Sequence, residues 1–353
     1  MKKHFILTVL AGLFMFPAFA QPPDEDRGIN PGIGTQQSYR PEHPLVDKHW
    51  ELVWNDEFSN LNNWYSYDHV HNIDNDICVL LTKNVSVNNG NLVIQAEREN
   101  YIFNGKLYKY TSGSVTNYNS GMRFGYIEAR IKLPYGKGLW PAFWTYQYAT
   151  NPSNEAEIDI FEMLGHLPPN TMTTNLHTCY RKYNPNCIEN YYKEIVLPYN
   201  YTDWLTYAIE WTPTKFIWYV NGVAVRNFPN PEIVDSVRII LGMGMEYDAH
   251  YQPDSTTPFP VQMLVDYVKV YKLKCGNEVI NFSMYNFDNY DNNTVKKSIT
   301  IGGNGASNTI ANGKNVVMRA QEFIEIKGEF TVSLGASLYL DADFCEDSGG
   351  MYD

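Results

Sequence analysis

The chain has 353 residues and a formal net charge of -12 at pH 7. An acidic balance of this size argues against nucleic acid and anionic membranes as partners. The 27 tyrosines and 8 tryptophans can supply both a core and surfaces that stack sugars, which alone is a weak indication of function.

The first 20 residues have the pattern of a secretory signal peptide. Lys2 and Lys3 form a basic start, an apolar run covers Phe5–Phe16, and Ala18–Ala20 fits a cleavage site. The apolar run is too short to span a bilayer. We therefore expect export to the periplasm, cell surface or medium after cleavage near Ala20, without membrane insertion.

Residues 21–49 carry five prolines and little apolar periodicity, which predicts an N-terminal arm or linker. From Trp50 onward short apolar–polar alternations recur, and Asn89-Gly90 and Asn221-Gly222 predict tight hairpin turns. Residues 50–274 therefore predict one all-β domain, a β-sandwich or jelly roll. Its expected strands include residues 122–133, 140–147, 156–163, 172–178, 205–212, 215–221, 236–243 and 261–273.

A second boundary falls near residue 275, and residues 275–353 predict a small β-rich C-terminal module. A segment this short forms a thin core, which a cross-link would help to stabilise. Its expected short strands, separated by glycine breaks, are Ser298–Gly302, Asn315–Ala320, Phe323–Lys327, Phe330–Leu334 and Ser337–Ala342.

Five cysteines follow the signal sequence, and export would allow disulfides. Cys179 and Cys187 flank a turn-like Asn-Pro-Asn tip, so we expect a local Cys179–Cys187 bridge. Cys275 and Cys345 bracket the C-terminal module, so we expect a Cys275–Cys345 bridge, which leaves Cys78 over. The sequence does not determine this connectivity, and none of the spacings resembles a structural zinc site.

Four carboxylates lie close together in residues 154–165, interleaved with apolar side chains. The period-two alternation from Glu157 predicts a strand with one polar face, but Glu162 comes one residue too late to share that face with Asp159. A β-bulge between Asp159 and Glu162 would return Glu162 to it. Glu155 falls outside this set, and we expect it at the strand end or the rim of a cleft.

Crowded carboxyl groups raise at least one pKa, and a retaining glycosidase needs a carboxylate nucleophile and a protonated acid/base about 5–5.5 Å apart. The bulge would bring Glu157 and Glu162 toward this distance. Asp159, between them, would hydrogen-bond the nucleophile and tune both pKa values. The alternative is a solvated strand face without function, although such faces more often mix charge signs.

Residues Glu157–Glu162 resemble the E-x-D-x-x-E signature of glycoside hydrolase family 16 in its β-bulge form. The resemblance covers residues 50–274 and implies a concanavalin-like jelly roll of two antiparallel sheets. It also implies Glu157 as nucleophile, Glu162 as acid/base and Asp159 as assisting acid, with polysaccharide as partner. We expect no cofactor for catalysis and a monomer. Other segments that resemble the family are Trp54–Phe58, Tyr118–Gly121, Phe124–Arg130, Gly138–Trp144, Asn175–His177, Tyr207–Pro213, Tyr219–Gly222 and Met263–Tyr271.

Four residues near the acids are predicted to bind substrate. Trp140 and Trp144 are four apart on one expected strand and therefore share a face. In the resembling family, tryptophans at this place flank the sugar beside the nucleophile; core packing is the alternative. His177, on the next strand, could hydrogen-bond the acids or a sugar hydroxyl, and Asn175 shares its face. A structural histidine is the alternative there.

Trp64 lies where family members build one wall of the cleft. Glu246 lies in a loop before the closing strand that could form another wall, so we expect both residues to contact substrate. Many family members carry a structural calcium ion, and Glu57 and Asp266 match its ligand positions. Because Ca²⁺ prefers six to eight oxygen ligands, these two side chains could be only part of a site.

The expected function is secreted, endo-acting hydrolysis of a laminarin-like β-1,3-glucan, because residues 138–144 and the bulged signature most resemble β-1,3-glucanases. Residues 76–80 and 242–247 depart from that subgroup. Arg181 and Lys182 could instead receive a sulfate or carboxylate of a red-algal galactan such as agar, porphyran or carrageenan. A non-catalytic carbohydrate-binding protein on the same fold is a third alternative, against which the three crowded acids argue.

Overall fold

The structure, a computed structural model, describes residues 50–70, 76–118, 122–147, 155–178, 191–213, 215–231, 233, 235–290 and 295–342. The predicted signal peptide, the predicted arm and the proposed Cys179–Cys187 bridge lie outside the described residues, as do Arg181 and Lys182. No helix within these ranges is long and apolar enough to cross a bilayer.

Short strands make up nearly all of the regular structure between Trp50 and Leu273, as the sequence predicts. A 3₁₀ turn covers Thr82–Asn84. The strands are β1 Trp50–Asp56, β2 Trp64–Tyr65, β3 Cys78–Leu80, β4 Val85–Asn88, β5 Asn91–Ala96, β6 Tyr101–Phe103, β7 Lys106–Tyr108, β8 Tyr110–Ser112, β9 Ser114–Asn117, β10 Gly125–Lys132, β11 Leu139–Tyr146, β12 Glu157–Glu162, β13 Thr171–His177, β14 Lys193–Val196, β15 Leu205–Trp211, β16 Lys215–Val220, β17 Val223–Pro229, β18 Arg238–Met245 and β19 Val261–Leu273.

Two antiparallel sheets form the predicted jelly-roll sandwich. One has the order β17-β16-β15-β10-β19-β5-β4, with β1 also paired to β19, and the other has the order β14-β13-β12-β11-β18-β9-β2. Side chains alternate between the two faces of each strand. In β10, Ile127 and Ile131 therefore lie in the core between the sheets, while Tyr126 belongs to a separate apolar cluster on the outer face of the eight-stranded sheet.

Both predicted hairpin turns are confirmed. Asn89 and Gly90 connect β4 to β5 with φ values of 50° and 74°, and Asn221 and Gly222 connect β16 to β17 with 49° and 74°. Positive φ at both central residues is the property of the two-residue turn whose twist matches a β-hairpin, and Asn-Gly adopts it with little strain. The turns fix the register of these two hairpins.

The C-terminal module is built from parallel strand pairs. Strand β21 (Ser298–Ile310) pairs with β20 (Val279–Phe282) and β23 (Ile324–Val332), and β22 (Asn315–Ala320) pairs with β24 (Ser337–Ala342). The predicted strands Phe323–Lys327 and Phe330–Leu334 are one continuous strand, because Gly328 takes a φ of 77° without ending it. The predicted strand that starts at Ser298 continues past Gly302. A 3₁₀ turn covers Phe287–Asn289.

The module packs on the outer face of the eight-stranded sheet. Arg319 of β22 lies 3.8 Å from Glu210 of β15, and both side chains are almost fully buried. The Arg319 guanidinium also lies over the ring of Trp50, 5.6 Å from its centroid. Cys275, where the module begins, is disulfide-bonded; Cys345, its predicted partner, lies outside the described residues. The module is therefore attached to the sheet that does not carry the acidic strand.

Candidate active site

The acidic strand β12 lies inside the seven-stranded sheet, between β11 and β13. The pairing register shifts between Asp159 and Glu162 on one side and between Phe143 and Trp144 on the other. The predicted β-bulge is therefore confirmed. It leaves Phe161 in the core and places Glu162 on the same face as Asp159, since both line one cavity together with Glu157.

The three acids are close enough to act as one electrostatic unit. Asp159 hydrogen-bonds Glu157, and its own side chain is 2% exposed. Burial is the main cause that raises the pKa of Asp159 well above its usual range, and the charges of Glu157 and Glu162 raise it further. The raised pKa favours the protonated form of Asp159, and in that form its O–H is the donor in the hydrogen bond to Glu157.

Glu162 is held in a different environment from Glu157. Burial and then the charge of Glu157 raise the pKa of Glu162 to about 7. The indole Nε1 of Trp140 donates to Glu162 Oε1 at 2.8 Å, which opposes the rise because it stabilises the carboxylate. A carboxyl group of this kind is protonated in mildly acidic solution and can release its proton near neutrality.

His177 and Asn175 lie beside Glu157 and Asp159, the two acids nearest the start of β12. His177 Nε2 lies 3.6 Å from Glu157 Oε1 and 3.5 Å from Asp159 Oδ2. Asn175 Oδ1 accepts two backbone N–H groups, so its Nδ2 faces His177 Nε2 at 3.1 Å and donates to it. Asn175 therefore orients His177, and both predicted residues lie beside the acids.

A cavity of about 260 Å³ opens above the acids. On the neighbouring strand β18, Gly244 and Gly242 pair with Trp140 and Ala142, so these two positions add no side chain to the cavity floor. Among the described residues that line the cavity there is no lysine or arginine. The lining residues are Asp76, Cys78, Leu80, Trp140, Ala142, Trp144, Glu157, Asp159, Glu162, Gly242, Gly244, Met245 and Tyr247.

The predicted substrate contacts of Trp64 and Glu246 are wrong. Trp64 is 3% exposed, packs against Phe58 and donates its Nε1 to Asp56 at 3.0 Å, so it is a core residue. Glu246 is 5% exposed and its carboxylate binds His166 rather than facing the cavity. By contrast, Trp140 and Trp144 both line the cavity, and their contact with substrate stays a prediction.

Several cavity residues were not assigned from the sequence. Asp76, Cys78 and Leu80 form one wall, and Met245 forms part of another. Their signal was present, because they belong to the two segments that depart from the β-1,3-glucanase pattern, residues 76–80 and 242–247. A departure shows that a wall differs but does not show which side chains face the cavity.

The predicted calcium ligands are engaged with cations. Asp266 Oδ2 lies 2.6 Å from Arg130 Nη1, and Glu57 Oε1 lies 3.2 Å from Lys269 Nζ. Ca²⁺ takes six to eight oxygen ligands, and each of these two carboxylates is instead paired with a cation in this structure. A structural calcium ion therefore stays a prediction that rests on the resemblance.

The catalytic cluster itself has atoms that could ligate a metal. Glu157, Asp159 and His177 each offer one such atom, and the three atoms lie within 4.8 Å of one another. Two carboxylates and one imidazole suit a transition ion such as Zn²⁺. Glu157 and Asp159 already form a hydrogen bond with each other, and the pKa of Asp159 is raised. The two acids can therefore form a stable pair without a metal.

Comparison with known proteins agrees with this geometry. Residues 74–242 match the model of glycosyl hydrolases family 16. A β-glucanase of Rhodothermus marinus is 33% identical over 256 residues, which cover 64% of this chain and 86% of the relative. The solved endo-β-1,3-glucanase of Pyrococcus furiosus is 31% identical with a TM-score of 0.55, over 64% of this chain and 96% of that one. A kappa-carrageenase of Pseudoalteromonas carrageenovora is 28% identical over 55% of this chain and 57% of its own length.

Proposed function

The chain belongs to glycosyl hydrolases family 16 and is an endo-acting glycosidase of β-linked glycans, and from this premise we propose that it is exported and hydrolyses a β-1,3-glucan. One observation carries the catalytic part: the bulge in β12 places Glu157, Asp159 and Glu162 in one cavity with Glu162 poised at a pKa of about 7. Export is supported by the signal-peptide pattern of residues 1–20.

The proposed reaction has two displacements at the anomeric carbon. In the first, the Glu157 carboxylate forms a bond to that carbon, the glycosidic C–O bond breaks, and Glu162 gives its proton to the departing oxygen. In the second, Glu162 takes a proton from water, whose oxygen displaces Glu157 from the anomeric carbon. Two inversions restore the original configuration.

Asp159 and Trp140 adjust the two carboxyl groups for these roles. The raised pKa of Asp159 favours its protonated form, whose O–H donates to Glu157 and stabilises the negative charge that Glu157 regains when the glycosyl-enzyme bond breaks. Trp140 donates to Glu162 and limits the rise of its pKa, so Glu162 can both give and take a proton near neutral pH.

The charge of the cavity favours a neutral polymer. Asp76, Glu157, Asp159 and Glu162 line it, and none of its described lining residues is cationic. A sulfate or carboxylate on the substrate would find no cationic partner among these residues and would lie close to the ionised members of the group, such as the proposed Glu157 nucleophile, which is unfavourable in a partly buried site. β-1,3-Glucan carries no charge, and the Pyrococcus furiosus and Rhodothermus marinus relatives are glucanases by name.

A red-algal galactan is the second candidate. The kappa-carrageenase relative supports it, as do the two wall segments that depart from the glucanase pattern. The acidic cavity lining weighs against the sulfated members of this class, so agar, which is neutral, is the galactan most compatible with the described walls.

The test is release of reducing ends from laminarin, mixed-linkage glucan, agar, porphyran and carrageenan by the wild type and by Glu157→Gln. We expect release from laminarin by the wild type, with the β-anomer formed first in a proton NMR time course. Glu157→Gln should release nothing while still binding laminarin. Release from a galactan alone would overturn the glucan proposal, and release that survives Glu157→Gln would overturn the assignment of the nucleophile.

A further inference from the structure

Glu246 is a buried acid next to the cavity that takes no part in lining it. Its Oε2 lies 2.5 Å from His166 Nδ1, and its Oε1 accepts the backbone N–H of His166 at 3.2 Å. Both oxygens thus bind the turn that follows β12, where Gly165 also contributes a backbone hydrogen bond. Its chain neighbours Met245 and Tyr247 do line the cavity.

His166 continues the connection to the loop after β18. Its ring stacks on the ring of Tyr251 with centroids 3.9 Å apart and planes 16° apart. Tyr247, in the same loop, lies 6.1 Å from Trp140 between ring centroids, and Trp140 donates to Glu162. A chain of contacts therefore runs from Glu246 through its loop to the side chain that binds the proposed acid/base.

Three chain segments meet at this point with little free space. The Glu246 N–H donates to the carbonyl of Gly138, and the Gly165 N–H donates to the carbonyl of Leu139, each at 2.9 Å. A Cβ at Gly165 would lie 2.0 Å from the carbonyl oxygen of Gly136, and one at Gly138 would lie 2.1 Å from the backbone nitrogen of Pro253. The backbones are thus close-packed, and the Glu246–His166 contact is the side-chain bond that joins two of them.

We propose that Glu246 is a positioning residue that fixes the Trp140–Tyr247 wall of the cavity. By binding His166, it holds the 246–251 loop against the turn after β12 and so sets where Tyr247 meets the substrate beside Glu162. Its carboxylate does not touch the sugar. The inference rests on the proposed function only in that Glu162 acts on the bound glycan, and it holds for whichever polysaccharide the cavity accepts.

The test compares Glu246→Ala with the wild type on the soluble polysaccharide that gives the highest rate in the panel above. We expect KM to rise about three- to tenfold, the factor that corresponds to one aromatic contact, while kcat changes less than twofold. Glu246→Gln keeps an acceptor for the His166 N–H and should restore most of the affinity. Thermal melting of each variant shows whether it is folded at the assay temperature.

A double-mutant cycle with Tyr247→Ala separates positioning from a general structural effect. If Glu246 acts through Tyr247, then Glu246→Ala adds no further rise in KM once the tyrosine ring is gone. The matched control is Asp248→Ala, since Asp248 also binds a histidine of this loop, His250, but both side chains are exposed. Its KM should equal that of the wild type.

The proposal would be overturned if Glu246→Ala left KM unchanged. It would also be overturned if the increases in KM caused by Glu246→Ala and Tyr247→Ala multiplied in the double variant. A rise in KM for Asp248→Ala as large as that for Glu246→Ala would overturn it as well. Because every arm uses a substrate chosen by measured activity, a wrong guess about the polymer does not affect this result. If the wild type instead released no reducing ends from any polysaccharide of the panel, the proposed function would be contradicted.

Discussion

Replacement of Trp140 by phenylalanine should move the pH dependence of the enzyme in a defined direction. Glu162 must be protonated to act as the acid, so kcat/KM falls as the pH rises through its pKa of about 7. The Trp140 indole stabilises the ionised form of Glu162. Without that donor the carboxylate is less stable, the pKa rises, and the alkaline limb of the profile moves to higher pH.

The size of this shift follows from the strength of one hydrogen bond to a charged group. Such a bond contributes about 1.5–3 kcal/mol, and one pKa unit corresponds to about 1.4 kcal/mol, so a complete loss would shift the limb by about one to two units. Trp140 is only half-buried, and water can enter where the indole was. We therefore expect a shift of about 0.5 to 1 unit.

The assay is kcat/KM on a soluble substrate between pH 4 and pH 9 for the wild type, Trp140→Phe and Trp144→Phe. Trp144 lines the same cavity but faces Asp159 rather than Glu162 across the β11–β12 pair, so its variant controls for the loss of an indole. An alkaline limb that stays in place in Trp140→Phe, or that moves to lower pH, would refute the link between this hydrogen bond and the acid/base. An equal shift in Trp144→Phe would refute its specificity.

Three further outcomes test the fold and the site. Gly138→Ala should lower the melting temperature far more than Gly90→Ala, because both have positive φ but only at Gly138 would a Cβ collide with backbone. Arg319→Met should destabilise the protein by on the order of 3 kcal/mol in denaturant titration, since it leaves Glu210 buried without its cation, and adding Glu210→Gln should recover part of this loss. Dialysis against EDTA should leave the rate of hydrolysis unchanged; a loss restored by Ca²⁺ would show that a metal is needed.

Much of the catalytic strand could be predicted from the sequence because a strand side chain can point to only one of two faces. Once Glu157 and Asp159 define one face, Glu162 must either lie on the wrong face or follow a bulge, and the register shift in the structure shows the bulge. The same rule placed Trp140 and Trp144 together. Local patterns therefore sufficed wherever a residue's direction depends on its own strand.

Predictions failed where a side chain's environment depends on distant segments. Trp64 lies on a short edge strand, and nothing local shows that Asp56 and Phe58 enclose its ring. Glu246 lies beside cavity residues, but its carboxylate is turned by His166, 80 positions earlier in the chain. Such contacts are set by loop packing, for which a period-two pattern carries no information.

In the C-terminal module, strand alternation again fails to predict which strands pair, but a sequence repeat does carry that information. Alternation predicts strands there but does not distinguish parallel from antiparallel partners, and the structure has parallel pairs between β22 and β24 with a constant offset of 22 residues. The sequence repeats at that offset: Ile310, Gly313 and Ala320 correspond to Val332, Gly335 and Ala342. A repeat with constant offset places equivalent residues side by side, which only parallel stacking of successive turns achieves. Within β22, Arg319 alternates with Met318 and Ala320, which lie in the core of the module, so its side chain points away from that core and reaches Glu210 of the sandwich.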